Sequence, residues 1–240
     1  MGNLAEDVFV CLDCETTGLD PAEDRIVEVA LVRFTLSKIL DRFETLIDPE
    51  CAISETSMAI HHITDQMVQG KPKIQEVLPK ILSFIDRYIL VGHGISLDVA
   101  FLSAAAKRHQ IPCTLHECSF LDTLRLARLY GESPVNSLEM LRQHFNISEE
   151  GAHRALNDVV VNIEVFKFLT KKFTTTEQVL NRLKSPILLK TMPLGKYKGK
   201  AFSEIPVEYL SWAMKQKFDQ DLLFSLDTEL KRRRRKKSFV

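Results

Sequence analysis

The 240-residue sequence predicts an α/β layer followed by a small C-terminal α+β module. Three observations carry that reading. Apolar runs typical of strands fill the first third, helical periodicity interleaved with a further apolar run follows, and the composition changes abruptly near residue 190.

The first strand is expected over Val8–Asp13, where Val8, Phe9, Val10, Cys11 and Leu12 form a continuous apolar run. Two more follow, over Arg25–Thr35 (apolar at Ile26, Val27, Val29, Ala30, Leu31 and Val32) and over Ile39–Ile47. Ile74, Val77, Leu78, Ile81, Leu82 and Ile85 share one helical face, with Pro79 acceptable only near the first turn. Tyr88–Val91 reads as a short strand ending at Gly92-His93-Gly94, and Leu97–His109 as helix. Further helices are expected over Leu121–Tyr130, over Ser137–Phe145 with Asn136 or Ser137 as its cap, and from about Arg154 to Phe173, buried along Leu156, Val159, Val160, Ile163 and Phe166. The breaks at Thr174-Thr175-Thr176 and Ser185-Pro186 flank a short helix. The expected division is therefore 1–175 as the main domain, 176–189 as a linker helix, 190–230 as the small module and 231–240 as a basic tail. At about forty residues the module is smaller than units that usually fold alone, so it is expected to lean on the main domain or on a partner.

Formal neutrality conceals opposites. The run Lys231–Lys237 holds seven of the 32 cations, which leaves 25 against 32 acids over residues 1–230. A basic segment on an acidic body suits phosphate binding, and equally a solvated tail. No apolar run approaches the roughly 20 residues of a membrane span, and MGNLAEDV lacks a basic region followed by an apolar one, so a cytoplasmic protein with no membrane association is expected. The five cysteines form no disulfide framework. Cys11 and Cys14 have metal-site spacing, with Cys113 and Cys118 as a notional second pair, but residues three apart on a strand point to opposite faces, so buried thiols are the expectation.

The first strand runs into DCETTGL. Asp13 and Glu15, two apart, project to one face of a strand. Asp98 opens the helix after the second buried strand, and Asp158 lies in the first turns of the long helix. Four acids at the ends of core elements raise one another's pKa or demand a counter-ion, and two divalent metals would neutralise them. Hard oxygen ligands suit Mg2+ or Mn2+, and a pair of such ions suits in-line phosphoryl displacement. His153, set in a loop that Gly151 permits, has the chemistry to take a proton from the attacking water, although a surface histidine beside a helix start is the blander reading.

Asp13-x-Glu15-Thr16-Thr17-Gly18-Leu19, Gly92-His93-x4-Asp98, Asp122-Thr123-Leu124 and His153-Arg154-Ala155-Leu156-x-Asp158 together resemble the motifs of the DEDDh (DnaQ-like) exonucleases, which include the proofreading subunit of bacterial DNA polymerase III. The resemblance covers about residues 6–172. It implies a ribonuclease H-like mixed sheet flanked by helices, two Mg2+ or Mn2+ ions on Asp13, Glu15, Asp98 and Asp158, and His153 as general base. The implied reaction removes mononucleotides from the 3′ end of DNA, in repair or proofreading, with Thr16, Thr17 and Gly18 near the terminal nucleotide, Leu19 wedged against the last base, and His61 and His93 at the substrate. Two positions depart from the family pattern: His62 replaces a glycine in Ala59-Ile60-His61-His62-Ile63-Thr64, and Gly94 stands where asparagine usually follows the histidine. The segment from Met192 to Lys200, with Tyr209-Leu210-x-Trp212, resembles the small C-terminal module of exodeoxyribonuclease X, and Lys196, Tyr197, Lys198 and Lys200 are its candidate nucleic-acid contacts, with Trp212 expected in the module's own core. The same chemistry on RNA ends, and a non-catalytic nucleic-acid-binding or polymerase-associated module, are the alternatives. The expected partner is DNA with a 3′ end; a polymerase or repair protein as partner, and a homodimer, stay open.

Overall fold

The computed structural model describes residues 2–133, 135–148 and 154–237, the side chains of Lys236 and Lys237 excepted. The chain forms two compact units, Met1–Leu183 and Lys184–Val240.

In the first unit, β1 (Phe9–Thr16), β2 (Ile26–Phe34) and β3 (Ile39–Leu46) form an antiparallel meander. Helices α1 (Glu55–His61), α2 (Asp65–Val68) and α3 (Ile74–Ile85) lead to β4 (Ile89–Gly92), which pairs parallel with β1. After α4 (Ser96–Arg108), the three-residue β5 (Phe120–Asp122) adds parallel to β4, giving a five-stranded sheet ordered β3-β2-β1-β4-β5. The unit closes with α5 (Thr123–Tyr130), α6 (Leu138–His144), α7 (Ala155–Thr170) and α8 (Thr176–Leu183).

Helices cover both faces of β1, which is why its sequence is continuously apolar rather than alternating. On one face Phe9 and Cys11, with Ala30, Val32 and Phe34 of β2, pack against Val159, Ile163 and Phe166 of α7. Phe9 sits 5.6 Å from Phe34 and 5.4 Å from Phe166 between ring centroids. On the other face Val10 and Leu12, with Val29 and Leu31, meet Leu78, Ile81 and Ile85 of α3 and Leu102 and Ala105 of α4. Cys11 and Cys14 accordingly lie against opposite layers, as strand geometry demands.

One topological detail positions the site. β2 accompanies β1 to Thr16, whereas β4 pairs with it only over Phe9–Cys11. The last residues of β1 thus run past their parallel neighbour, and one backbone edge is left for side chains to satisfy.

Several elements differ from the sequence expectation. β1 continues to Thr16, so Glu15 lies within the strand together with Asp13. The expected helix at Leu121 begins at Thr123, because Phe120–Asp122 joins the sheet and Asp122 caps the helix, accepting from Leu124 N at 2.9 Å. Ser137 is the cap of α6. Pro79 lies at the sixth residue of α3, beyond the first turn. The helix expected over 176–189 is α8 (Thr176–Leu183), which buries Val179 and Leu183 in the core of the first unit.

The second unit has its own core of Met192, Phe202, Ile205, Leu210, Ala213, Leu222, Leu226 and Leu230. It holds short 3-10 turns at Gly195–Tyr197 and Phe202–Glu204, then α9 (Val207–Ala213) and α10 (Gln220–Lys237). Helix predominates in this unit: among its described residues the extended pairing is the antiparallel bridge Thr191–Ala201, and Gly195 and Gly199, both at positive φ, turn the intervening chain. The basic run is part of α10. Glu229 accepts from Arg232 Nε at 2.6 Å and Arg233 Nε at 2.7 Å, and these two arginines hold its carboxyl down to about 2. Arg233 also donates to the carbonyls of Phe202 and Ser203 at 2.9 and 3.0 Å. Cations at a helix C-terminus complement its dipole.

Pro79 is exposed, and its ring removes one donor from the middle of α3. Pro79→Ala is expected to raise stability by roughly 2 kcal/mol, the helix gain less the entropy returned to the unfolded chain. Urea unfolding measures it, and an unchanged or lower midpoint would show that α3 has accommodated the ring without strain.

Candidate active site

The face that meets α7 continues along β1 from Phe9 and Cys11 to Asp13 and Glu15, by strand alternation. Asp158 stands in the first turn of α7. The outcome is a cluster in which Asp13, Glu15 and Asp158 each bring a carboxylate oxygen within 4.8 Å of one another. Asp98 arrives from α4, on the sheet's other side. Its Oδ1 accepts from Cys14 N at 3.0 Å, filling the edge of β1 that β4 leaves open. Asp98 is 9% exposed.

Crowding sets the electrostatics. Burial first, then Asp98, Glu15 and Asp158, pushes the Asp13 carboxyl well above its usual range. Glu15 is raised to about 7 by burial and by Asp158 and Glu28, against an opposing pull from Arg154. Asp98 is also raised to about 7, chiefly by burial, despite the Cys14 amide that favours its charged form. Donors that are all hard oxygens, mutually repelling and partly shielded from water suit a divalent cation such as Mg2+ or Mn2+.

Glu28 supports the start of α7 and was missed by the sequence reading. It is 2% exposed in β2, opposite Glu15, and its carboxylate receives Arg154 Nη2 at 2.6 Å, Arg154 Nε at 3.0 Å and Ala155 N at 3.0 Å. Glu28 thereby pins the N-terminus of α7 to the sheet one turn before Asp158. Leaving such a buried charge unpaired costs about 3–5 kcal/mol. Its signal was a single acid inside the apolar run IVEVALV. Asn162 was missed as well: one turn beyond Asp158, it accepts from Thr123 Oγ1 at 2.6 Å and lies 3.5 Å from Cys11 Sγ. His153 and Gly151 lie outside the described residues.

The loop after β1 is tightly built. Thr16 Oγ1 donates to Gly18 O at 2.6 Å, and Thr17 Oγ1 donates to Asp24 Oδ1 at 3.2 Å while accepting from Arg25 N at 3.0 Å. A Cβ on Gly18 would lie 2.4 Å from Asp24 Oδ2, so only glycine lets this loop close on Asp24. Leu19 stands at its tip, 80% exposed, an aliphatic group offered to solvent.

His61 and His93 are placed as struts. His61 is 2% exposed; its Nδ1 accepts from Ile63 N at 3.0 Å, which puts the proton on Nε2, 3.3 Å from Thr16 O. His93 Nε2 meets Asn136 O at 2.9 Å and Nδ1 lies 3.1 Å from Thr123 Oγ1; burial lowers its pKa to about 4, so the ring is neutral at pH 7. The two departures from the family pattern also find a backbone reason. His62 is the left-handed C-cap of α1, at φ 59°, and Gly94 has φ 76° with its N–H donated to Asp122 at 3.0 Å. Glycine and asparagine adopt such angles readily and histidine does so more than most residues, so each replacement preserves the turn. Lys196, Lys198 and Lys200 are exposed and Tyr197 is half-buried in the second unit.

Raised carboxylates make the metal-free fold pH-sensitive. The folded chain keeps protons that the unfolded chain loses above about pH 4, so this contribution destabilises progressively from there to above pH 7. In chelator, Asp13→Asn is expected to be more stable than wild type by about 1–2 kcal/mol at pH 8, with the gap closing toward pH 5, and to lose the thermal stabilisation that Mn2+ gives wild type. Thermal denaturation at both pH values measures this. A variant less stable than wild type at pH 8 would overturn the repulsion argument.

Comparison with known proteins agrees with this geometry. The exonuclease family (RNase_T) matches residues 10–166, and a second family, whose description names a quorum-sensing-regulated virulence factor, matches residues 180–226. PolC-type DNA polymerase III of Clostridium perfringens is 36% identical over 168 residues, which are 70% of this chain and 11% of that protein. The chain therefore spans about a tenth of the length of the PolC-type relatives that it matches. DNA polymerase III subunit epsilon of Aquifex aeolicus is 33% identical over 165 residues, 68% of this chain and 81% of that protein. Exonuclease X, solved with 5′-overhanging duplex DNA, superposes with a TM-score of 0.57 at 28% identity, covering 72% of this chain and 98% of that one. Exonuclease I shares the fold, with a TM-score of 0.63 at 20% identity over 74% of this chain and 43% of that one. The mixed five-stranded sheet flanked by helices is the ribonuclease H-like fold of these neighbours. The family match runs from the second residue of β1 into α7 and spans all four carboxylates, and the chain belongs to the exonuclease family.

Proposed function

We propose that this protein is a 3′-to-5′ exonuclease that uses two divalent metal ions, Mg2+ or Mn2+, to release mononucleotides from DNA in repair or polymerase proofreading. The observation that carries the reading is the convergence of Asp13, Glu15 and Asp158, with Asp98 bonded to the same strand end. The resemblance to an epsilon subunit and to an exonuclease X bound to DNA supports DNA as the substrate.

Asp13, Glu15, Asp98 and Asp158 would hold the ions, which would supply positive charge to stabilise the attacking and leaving oxygens of an in-line displacement. The protein's own contribution is placement. Glu28 and Arg154 fix α7 and with it Asp158, while β1 carries Asp13 and Glu15 rigidly out of the core. Thr16, Thr17 and Gly18 form the closed loop against which the terminal nucleotide would lie, and Leu19 would meet the last base. His61 steadies that loop from beneath, through the Thr16 carbonyl. His93 serves by bracing the turn that leads to Asp98. His153, by its place in the sequence pattern, is assigned as general base toward the attacking water.

The test uses a 5′-labelled single-stranded DNA oligonucleotide beside an RNA of the same sequence, with Mg2+, with Mn2+ and with chelator. A metal-dependent ladder shortening from the 3′ end of DNA is expected. Asp13→Ala should abolish it with the fold retained, and His153→Ala should slow it by roughly 10²- to 10⁴-fold while metal binding persists. Equal, mild losses from both variants would contradict these roles. Faster hydrolysis of RNA would move the substrate to RNA ends, and binding without cleavage would favour a non-catalytic module.

A further inference from the structure

We propose that the second unit carries a stacking platform for single-stranded nucleic acid, built from Tyr197, Tyr209 and Trp212 and flanked by Lys196, Lys198 and Lys200. The choice of nucleic acid as occupant rests on the exonuclease reading above; the platform itself rests on geometry and charge.

Trp212 does not belong to the core where sequence reasoning puts it. Leu210 and Ala213 are the buried residues of α9, and Trp212, between them in sequence, faces outward at 51% exposure. Its ring is not isolated. Trp212 and Tyr209 lie 5.2 Å apart between centroids at 44°, and Tyr209 meets Tyr197 edge-on at 4.7 Å. The turn before Tyr197 lies close against Tyr209: Gly195 has φ 73°, which favours glycine, and a Cβ there would sit 2.8 Å from the Tyr209 hydroxyl. Lys196 and Lys200 place their ammonium groups 5.6 and 5.8 Å from the Tyr197 ring centroid. Trp212 offers the exposed face, and Tyr197 and Tyr209, half-buried against the unit's core, brace it from behind. An aromatic face beside lysines is how proteins hold bases and phosphates of a single strand together, each stacked base contributing about 1–3 kcal/mol with little regard to sequence.

Charge favours the same occupant. Residues 184–240 hold 14 cations and 6 acids, net +8, whereas residues 1–183 hold 18 cations and 26 acids, net −8. The unit with the carboxylate cluster repels a polyanion at long range, and the unit with the aromatic platform attracts one. Glu208, one turn before Trp212, is an opposing charge on the same helix, outnumbered by the lysines around the Tyr197 turn.

Trp212 is the sole tryptophan of the chain, so selectively excited tryptophan fluorescence reports on this surface alone. The full chain, in chelator to prevent turnover, is titrated with a thymidine oligonucleotide of about 15 residues, on the scale of single-strand site sizes. Saturable quenching is expected, coincident with the anisotropy rise of a labelled copy, while an abasic strand of equal length binds through its phosphates without quenching. Trp212→Ala should weaken binding roughly 5- to 150-fold, the stacking contribution expressed as affinity, and Trp212→Phe should recover most of the loss, which separates stacking from misfolding. Replacing Lys196, Lys198 and Lys200 with glutamine should flatten the salt dependence by about two units of slope. Binding that saturates in anisotropy with unchanged fluorescence, no binding at all, or equal affinity for Trp212→Ala would overturn the proposal. All of these readouts are independent of cleavage, so failure of the exonuclease assay leaves them interpretable.

Discussion

The mutual repulsion of Asp13, Glu15, Asp98 and Asp158 is the constraint around which the first unit is organised. Carboxylates this close do not all stay ionised without compensation: partial burial first, and then the neighbouring negative charges, raises Asp13, Glu15 and Asp98 above their usual range. A sheet whose core merely needed filling would place such groups in solvent. Here the scaffold holds them together against their own electrostatics, the pattern expected where strain serves a bound cation.

Three devices supply the restraint. β1 is clamped between antiparallel and parallel neighbours as far as Cys11, so the strand end projects from a fixed base. The Asp98 carboxylate substitutes for a missing strand partner at Cys14, which ties α4 to β1 by a hydrogen bond rather than by packing alone. Glu28 fastens the start of α7 through Arg154 and Ala155, and the buried Thr123–Asn162 contact repeats the fastening one turn beyond Asp158. Each device is polar, buried and paired, and so specifies position more than it adds net stability.

Much of this was legible in the sequence because strand and helix periodicities report burial directly. The runs at Phe9–Leu12 and Ile26–Val32 and the stripe through Val159, Ile163 and Phe166 marked the layers that pack together. Asp13, Glu15 and Asp158 are brought together where the ordered motifs led one to expect, because strand alternation and a helix start leave little freedom. β5 escaped detection because three residues are too short for a period, and its run merges with the helix that follows. Glu28 escaped because one acid in a strand has no meaning until its long-range partner, Arg154, is known. Trp212 was misread for a related reason: aromatic composition suggests a core, and only the packing of Leu210 and Ala213 shows which side of α9 is inward. The basic run looked like a tail because its charge hides that the helix carrying the stripe of Leu222, Leu226 and Leu230 continues through it.

If the carboxylate cluster is a divalent-metal centre, crystals grown with Mn2+ will show it by anomalous scattering. Two manganese peaks are expected, enclosed by Asp13, Glu15, Asp98 and Asp158, both lost in Asp13→Asn. Ordered manganese elsewhere in the chain, with none among these four side chains, would contradict that assignment.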